Sequence, residues 1–307
     1  MTRLGTSDID VRPLCLGGNV FGWTADRRES FAILDAFVES GGDFIDSADQ
    51  YSAWVDGNVG GESESIIGAW LADRGTEGVV IASKVGKHPQ ALGLAPDNVL
   101  RACEGSLQRL GVDAIDLYYA HQDDPEVPLE DSVRAFGELQ AAGKIRHVGL
   151  SNFSADRLQA WVRTADAIGV ARPVALQPHY NLVEREAEEA LLPAAREASM
   201  SIVPYYSLAS GFLTGKYRAR ADLEFGARGP RAAAYASEVG WAILDDLLAV
   251  ADARGVEPAV IALAWLRAQP GVAAPIASAS RPEQLGALLD STTFELERDD
   301  LERLSSR

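Results

Sequence analysis

The chain has 307 residues, 47% of them apolar and 24% charged, with a formal net charge of −17 at pH 7. That length can bury one large core, while the acidity excludes nucleic-acid and anionic-membrane partners, which need a basic face to displace counterions. Cys15 and Cys103 are too few and too far apart for a disulfide framework or a metal knuckle, and no apolar run reaches the ~18 residues of a membrane span, so a soluble cytoplasmic protein without metal is expected.

Residues 2–12 alternate weakly around a turn signal and predict a small β-hairpin ahead of the main fold. Leu14 to Gly18 is the first barrel strand. Phe31, Ile33, Leu34, Phe37 and Val38 then have helical spacing up to a Gly41-Gly42 stop. The second strand, Phe44-Ile45, ends at a carboxylate, Asp46, with Tyr51 on the loop beyond. Ile66, Ile67, Trp70 and Leu71 mark a second helix, and a third strand from Val79 runs into Lys84. Pro96 opens a helix with Val99, Leu100, Cys103, Leu107 and Leu110 on its face, closed by Gly111. A fourth strand, Ile115 to Ala120, delivers His121. A helix near 129–142, a strand at Ile145–Ser151 and a helix from Ser154 continue the alternation. Strands follow at 174–177, 202–206 and 271–276. The longest irregular piece runs from Ser207 to about Ala236.

Eight strands alternating with helices, with no linker or composition break between them, predict one α/β domain over residues 1–307, an eight-stranded (β/α)8 TIM barrel with an N-terminal hairpin and a long loop after strand seven. Such barrels carry their chemistry at the C-terminal strand ends, where Asp46, Lys84 and His121 would meet Tyr51. A tyrosine with a pKa near 10 is a poor proton donor unless that value is lowered. Lys84 beside the phenol would lower it, Asp46 would hold the ammonium charged, and His121 would donate to a substrate oxygen. Taken singly, Lys84 reads as a solvated cation, Asp46 as a turn residue, Tyr51 as loop packing near Trp54, and His121 as a structural histidine like His88, His147 and His179. Their convergence on one barrel face favours the catalytic reading.

The run from Asp46 to Tyr51, Lys84 in Ile-Ala-Ser-Lys, His121 after Asp-Leu-Tyr-Tyr-Ala, Gly149-Leu150-Ser151-Asn152-Phe153 and Leu213-Thr214-Gly215-Lys216-Tyr217 together resemble the aldo-keto reductases, in order over essentially the whole chain. The resemblance implies a barrel oxidoreductase that reduces aldehydes and ketones, reversibly, with a nicotinamide cofactor, usually NADPH rather than NADH, and without metal. Ser151, Asn152 and Gln177 carry donors and acceptors suited to the nicotinamide carboxamide. Tyr206 matches the family position that stacks on the nicotinamide. Ser207, Leu208, Ser210, Thr214 and Lys216 would wrap the pyrophosphate, although many relatives have a proline between the serine and the leucine where this chain has none. Residues 216–231 hold five basic side chains against two acidic ones, which suits an anionic ligand.

Ala277 to Gln284 resembles the segment that grips the adenosine 2′-phosphate, with Ser280, Arg281 and Gln284 as its polar groups. Ala287-Leu288 stands where the family often places Glu-Asn for the adenine. Val20, Phe21, Trp23 and Trp54 predict an aromatic, apolar pocket for a small carbonyl or alcohol. Two other readings compete: a cofactor-binding regulatory barrel with little turnover, as in family members that serve as channel subunits, and an enzyme using Lys84 as a Schiff-base nucleophile.

Overall fold

The structure, a computed structural model, describes residues 1–75, 77–224 and 228–306. It opens with β1 (Thr2–Arg3) and β2 (Asp10–Val11), an antiparallel pair with Thr2 opposite Val11. The barrel strands are β3 (Cys15–Gly17), β4 (Phe44–Asp46), β5 (Val80–Val85), β8 (Ile115–Ala120), β9 (Ile145–Ser151), β10 (Ala175–Gln177), β11 (Ser201–Ile202) and β12 (Ile276–Ala277). A second hairpin, β6 (Lys87–His88) with β7 (Ala91–Leu92), follows β5 and was not foreseen. Around the sheet run α1 (Arg27–Glu39), α2 (Glu62–Arg74), α3 (Pro96–Leu110), α4 (Leu129–Ala141), α5 (Ala155–Ile168), α6 (Leu191–Glu197), α7 (Gly229–Ala232), α8 (Glu238–Arg254), α9 (Pro258–Arg267), α10 (Leu285–Asp290) and α11 (Arg298–Ser305).

All eight barrel strands pair in parallel, in the order β11-β10-β9-β8-β5-β4-β3-β12. The two ends of that row meet. Ile202 donates to Gly271 O (2.8 Å), Ala273 donates to Ile202 O (2.9 Å) and Ile276 donates to Pro204 O (2.9 Å), which closes the sheet into a barrel. Strands seven and eight are shorter than the runs 202–206 and 271–276 suggest. Pro204 and Pro275 have no N–H to give the ladder, so regular pairing stops beside them.

The period-2 alternation of the strands divides the core into two layers. Cys15, Phe44, Ala82, Leu117, Tyr119, Ala175, Val203 and Ile276 fill the barrel interior, and Leu4, Ile9 and Val11 of the hairpin join that cluster. Leu16, Ile45, Ile81, Val85, Tyr118, Ala120, Val148 and Leu150 face outward and pack with helix residues such as Ile33, Phe37, Ile67, Leu107, Phe136 and Trp161. The interior series sets the site: Asp46 follows Phe44 by two residues, Lys84 follows Ala82, and His121 follows Tyr119.

Helix ends follow local chemistry. Asp26 and Glu29 form a reciprocal capping box on α1, and Ser154 caps α5 by accepting from the Arg157 amide at 3.3 Å. The loop after β11 is built from 3-10 turns at Ala209–Thr214, Arg220–Glu224 and Ala233–Tyr235 around α7; residues 225–227 of the irregular piece foreseen there lie outside the described residues.

One contact tests the helix packing. A Cβ on Gly68 would lie 2.0 Å from the Arg109 carbonyl oxygen, so α2 touches the backbone at the end of α3 through a bare glycine. Gly68→Ala is expected to cost about 1 to 3 kcal/mol by overpacking. Gly286→Ala, with nothing within 4 Å of its Cβ, should be neutral or slightly stabilising. Denaturant midpoints check this, and equal midpoints for the two variants would contradict the packing.

Candidate active site

Asp46 and Lys84 end neighbouring strands on the interior face and form an ion pair of 2.6 Å, with side-chain exposures of 1% and 0%. Two ions so buried require further hydrogen bonds to offset their lost hydration. They have them. Lys84 Nζ also donates to the Ser47 carbonyl at 2.6 Å and to the Tyr51 hydroxyl at 2.8 Å. Asp46 Oδ2 accepts from Tyr51 at 3.1 Å, and its Oδ1 accepts from Gln177 Nε2 at 2.9 Å. Each of the three ammonium protons therefore has an acceptor.

A hydrogen-bonded path extends from this pair across the mouth of the barrel. The Gln177 carbonyl accepts from Ser151 Oγ (2.9 Å), Ser151 Oγ accepts from Asn152 Nδ2 (3.0 Å), and Asn152 Nδ2 also donates to the His121 carbonyl (2.8 Å). Tyr205, which carried no role in the sequence, donates its hydroxyl to Asn152 Oδ1 at 2.7 Å. Asn152 holds this place with a left-handed φ of 56°, a conformation asparagine tolerates better than most residues. Ser151, Asn152 and Gln177 therefore brace the strand ends that carry Asp46 and His121 as well as facing the cavity.

The Tyr51 phenol does not shift as the sequence suggests. Burial, and then the Asp46 carboxylate, push it well above its ordinary value. Lys84 is not a bare cation at that point, because Asp46 neutralises it at 2.6 Å; burial in turn lowers the lysine itself. The phenol is held protonated. His121, 6.2 Å from Tyr51 between ring centroids, is pushed well below its usual range by burial, then by Lys84 and Lys87. A neutral imidazole keeps one N–H for an oxygen acceptor, and its buried Nδ1 has no protein partner.

A cavity of about 700 Å³ opens above these groups, within the range of small-molecule sites. Asp46, Tyr51, His121, Ser151, Asn152, Gln177, Tyr206, Ser207, Leu208, Ser210, Thr214, Lys216, Ser280 and Gln284 all lie on its wall. Tyr206, with a φ of 53° and its carbonyl held by Asn181 Nδ2 at 3.0 Å, remains 40% exposed. Buried Asn181, whose side chain also accepts from the Val183 and Glu184 amides, went unnoticed in the sequence.

Four expected residues lie elsewhere. Val20 and Phe21 are fully buried in the outer core, because the turn at Gly18–Val20 directs them under the loop instead of into the cavity. Trp23 stands behind Trp54, edge to face at 5.7 Å, and only Trp54 reaches the wall, 40% exposed. Arg281 is exposed beside the cavity, on extended backbone that carries it off the wall, while Ser280 Oγ pairs with Thr24 Oγ1 at 2.8 Å. Among the histidines set aside as structural, His179 stacks on Tyr205 at 5.4 Å and pairs with Tyr235, and His147 pairs with Asp8.

The comparisons with known proteins agree with this geometry. The profile of the aldo/keto reductase family matches residues 13–306. The chain belongs to the aldo/keto reductase family. This aldo/keto reductase is 34% identical to the uncharacterized oxidoreductase YrpG of Bacillus subtilis, over 99% of this chain and 94% of the relative. It is 32% identical to the aldo-keto reductase yakc [NADP(+)] of Schizosaccharomyces pombe, over 89% and 82% of the two chains. It is also 32% identical to a probable voltage-gated potassium channel subunit beta of Oryza sativa, over 92% and 88%. No helix among the described residues of this reductase is long and apolar enough to cross a membrane, and no cluster there could hold a metal.

Behind the ion pair this reductase holds a carboxylate that the sequence did not advertise. Asp49 is 2% exposed, and neither of its oxygens has a hydrogen-bond partner. Burial and then nearby Glu64, itself bound to Ser83 Oγ and, at 2.7 Å, to Arg109, raise Asp49 to about 8. Unfolded, the same carboxyl titrates near 3.9. Between those values the folded state keeps a proton that the unfolded state has lost, so stability falls as pH rises from about 4 to about 8. Asp49→Asn keeps a neutral group of the same shape and is expected to lose about 1 to 3 kcal/mol less than the parent between pH 5 and 8, the scale of a buried unpartnered polar group. Urea melts at several pH values measure this, and parallel curves for the two proteins would contradict it.

Proposed function

We propose that this chain reduces an aldehyde or ketone with NADPH, with Tyr51 as the proton donor. The observation that carries the reading is the buried contact of the Tyr51 hydroxyl with Lys84 (2.8 Å) and Asp46 (3.1 Å) on the wall of the cavity. Bound NADPH supplies hydride to the carbonyl carbon. The carbonyl oxygen lies against Tyr51 and neutral His121, which donate hydrogen bonds as negative charge develops, and the Tyr51 proton completes the alcohol. Because Tyr51 is held protonated, reduction suits neutral pH, and alcohol oxidation needs alkaline conditions to form the tyrosinate.

The cavity lining supports a dinucleotide. Tyr206, with its exposed ring, would hold the nicotinamide end, where Ser151, Asn152 and Gln177 would face the carboxamide. Ser207, Leu208, Ser210 and Thr214 line the middle with backbone amides and hydroxyls. Lys216 and Arg228 lie on the same wall, without a carboxylate partner within 4.0 Å among the described residues and with burial lowering both, and they would hold the phosphates. At the far end Ser280 and Gln284 are on the wall with exposed Arg281 beside them, a donor set for a 2′-phosphate, and Ala287 with Leu288 offers the adenine an apolar surface. Similarity to a relative named for NADP(+) supports the same cofactor. Similarity to a channel subunit supports a second reading, a regulatory barrel with little turnover, which the complete set of Asp46, Tyr51, Lys84 and His121 disfavours.

Tyr51→Phe should lower kcat for NADPH-dependent reduction by roughly a hundredfold to ten-thousandfold, the range of general acid catalysis, while cofactor affinity stays within about threefold. Lys84→Met leaves Asp46 unbalanced beside the phenol, so its residual activity should persist to higher pH than that of the parent. Steady-state kinetics from pH 6 to 10, with fluorescence titration of NADPH, check both expectations. Turnover of Tyr51→Phe within tenfold of the parent would remove Tyr51 as donor, and an acid-shifted Lys84→Met profile would contradict the electrostatics.

A further inference from the structure

The wall that begins at Tyr51 is aromatic and then cationic. Trp54 meets the Tyr51 ring edge-on at 6.2 Å, and Trp23 meets Trp54 at 5.7 Å. The Arg231 guanidinium lies over both indoles, 5.6 Å from the Trp54 centroid and 5.1 Å from that of Trp23. Arg228 lies 5.9 Å over Trp23 from the same side. Two arginines on one pair of indoles are held by cation–π attraction, although their own charges repel.

Neither cation is neutralised by the protein. Among the described residues no carboxylate lies within 4.0 Å of Arg231 or Arg228, and one buried nitrogen of Arg228, Nη2, has no partner at all. Lys87, also on the cavity wall near His121, has no ion pair among the described residues either. The acidic groups lining this cavity and the adjoining one are accounted for. Asp46 is bound to Lys84, Glu257 and Glu283 belong to the opposite end of the cavity, and Glu184 lines an adjoining cavity that shares Tyr206, Ser210 and Arg231. Arg228, Arg231 and Lys87, three cations on the cavity wall without an ion pair among the described residues, in a protein of charge −17, mark a local field that favours a negatively charged ligand.

Lys216 and Arg228 serve the cofactor phosphates in the reading given above. Of the cations left over, Lys87 lies near His121, and Arg231 lies two ring contacts of 6.2 and 5.6 Å from Tyr51 by way of Trp54. We infer that the substrate is a carbonyl compound bearing a carboxylate at the end remote from the reacting carbon, with an aryl or comparably flat spacer lying along Trp54 and the carboxylate paired with Arg231. The planar guanidinium suits a carboxylate bidentately while it remains stacked on the indoles.

This inference rests on the proposed carbonyl reduction, so its test separates the two. NADPH-dependent turnover is measured for 4-carboxybenzaldehyde and for its methyl ester, which differ in charge and little in shape. The parent should favour the acid by about tenfold or more in kcat/KM. Arg231→Met keeps the length and apolar contact of the side chain and should reduce that preference to within about twofold, and Arg231→Lys should restore part of it. Calorimetric titration with 4-carboxybenzyl alcohol and its methyl ester gives a readout independent of turnover, and the acid should bind more tightly to the parent but not to Arg231→Met. Equal use of acid and ester by the parent, or an acid preference that survives in Arg231→Met, overturns the inference while leaving carbonyl reduction in place. Failure of the parent to reduce either aldehyde, although it binds NADPH, overturns the functional reading and this inference with it.

Discussion

Everything in this site depends on the buried contact between Lys84 and Asp46. Removing two ions from water costs several kcal/mol each, and a lone ion in that place would be worse, since breaking a buried pair typically costs about 3 to 5 kcal/mol. The barrel makes the pair possible by fixing its geometry before either side chain is considered. Phe44, Ile45 and Asp46 lie opposite Val80, Ile81 and Ala82, so the carboxylate at the end of β4 and the ammonium two residues further along β5 both point into the interior. Tyr51, Ser47 and Gln177 then satisfy the remaining donors and acceptors. The same arrangement explains why the phenol stays protonated: the lysine charge is already met before the tyrosine reaches it.

The rest of the mouth is organised to keep these groups still and to leave the space above them open. Asn152, Tyr206, Ala209 and Ser210 all have left-handed backbone, uncommon for residues other than glycine and costly unless the surroundings enforce it. All four lie at the cavity or next to a residue that lines it. Asn181 and Asn152 supply the enforcing hydrogen bonds, to the Tyr206 carbonyl and to the His121 carbonyl. Asp49 sits on the opposite side of the pair, a carboxylate without a partner behind a pair that is fully partnered.

Periodicity made much of the barrel legible. The alternation of short apolar runs with amphipathic helices gave β9 at Ile145–Ser151, and the Gly111 stop and Ser154 cap lie at observed helix ends. Strand-end polar residues pointed to Asp46, Lys84 and Tyr51, which meet within hydrogen-bond distance. What escaped depends on facts that a single sequence does not carry. Val20 and Phe21 look like pocket residues by composition, but the turn before them points both into the core. Pro204 and Pro275 shorten two strands whose apolar runs look longer. Asn181 and Tyr205 act through atoms remote in sequence, and the Tyr51 shift is set by how fully Asp46 neutralises Lys84, a distance and not a pattern.

The most direct measurement of the central claim is isotopic. The protein is incubated with benzaldehyde and NADPH carrying deuterium at both C4 positions of the nicotinamide, and the benzyl alcohol is analysed by mass spectrometry. Direct hydride transfer predicts one deuterium on the alcohol carbon from the labelled cofactor in ordinary water, and none on that carbon when unlabelled NADPH is used in deuterated solvent. Alcohol labelled from solvent at carbon, or bound cofactor with no alcohol formed over many hours, would contradict the account.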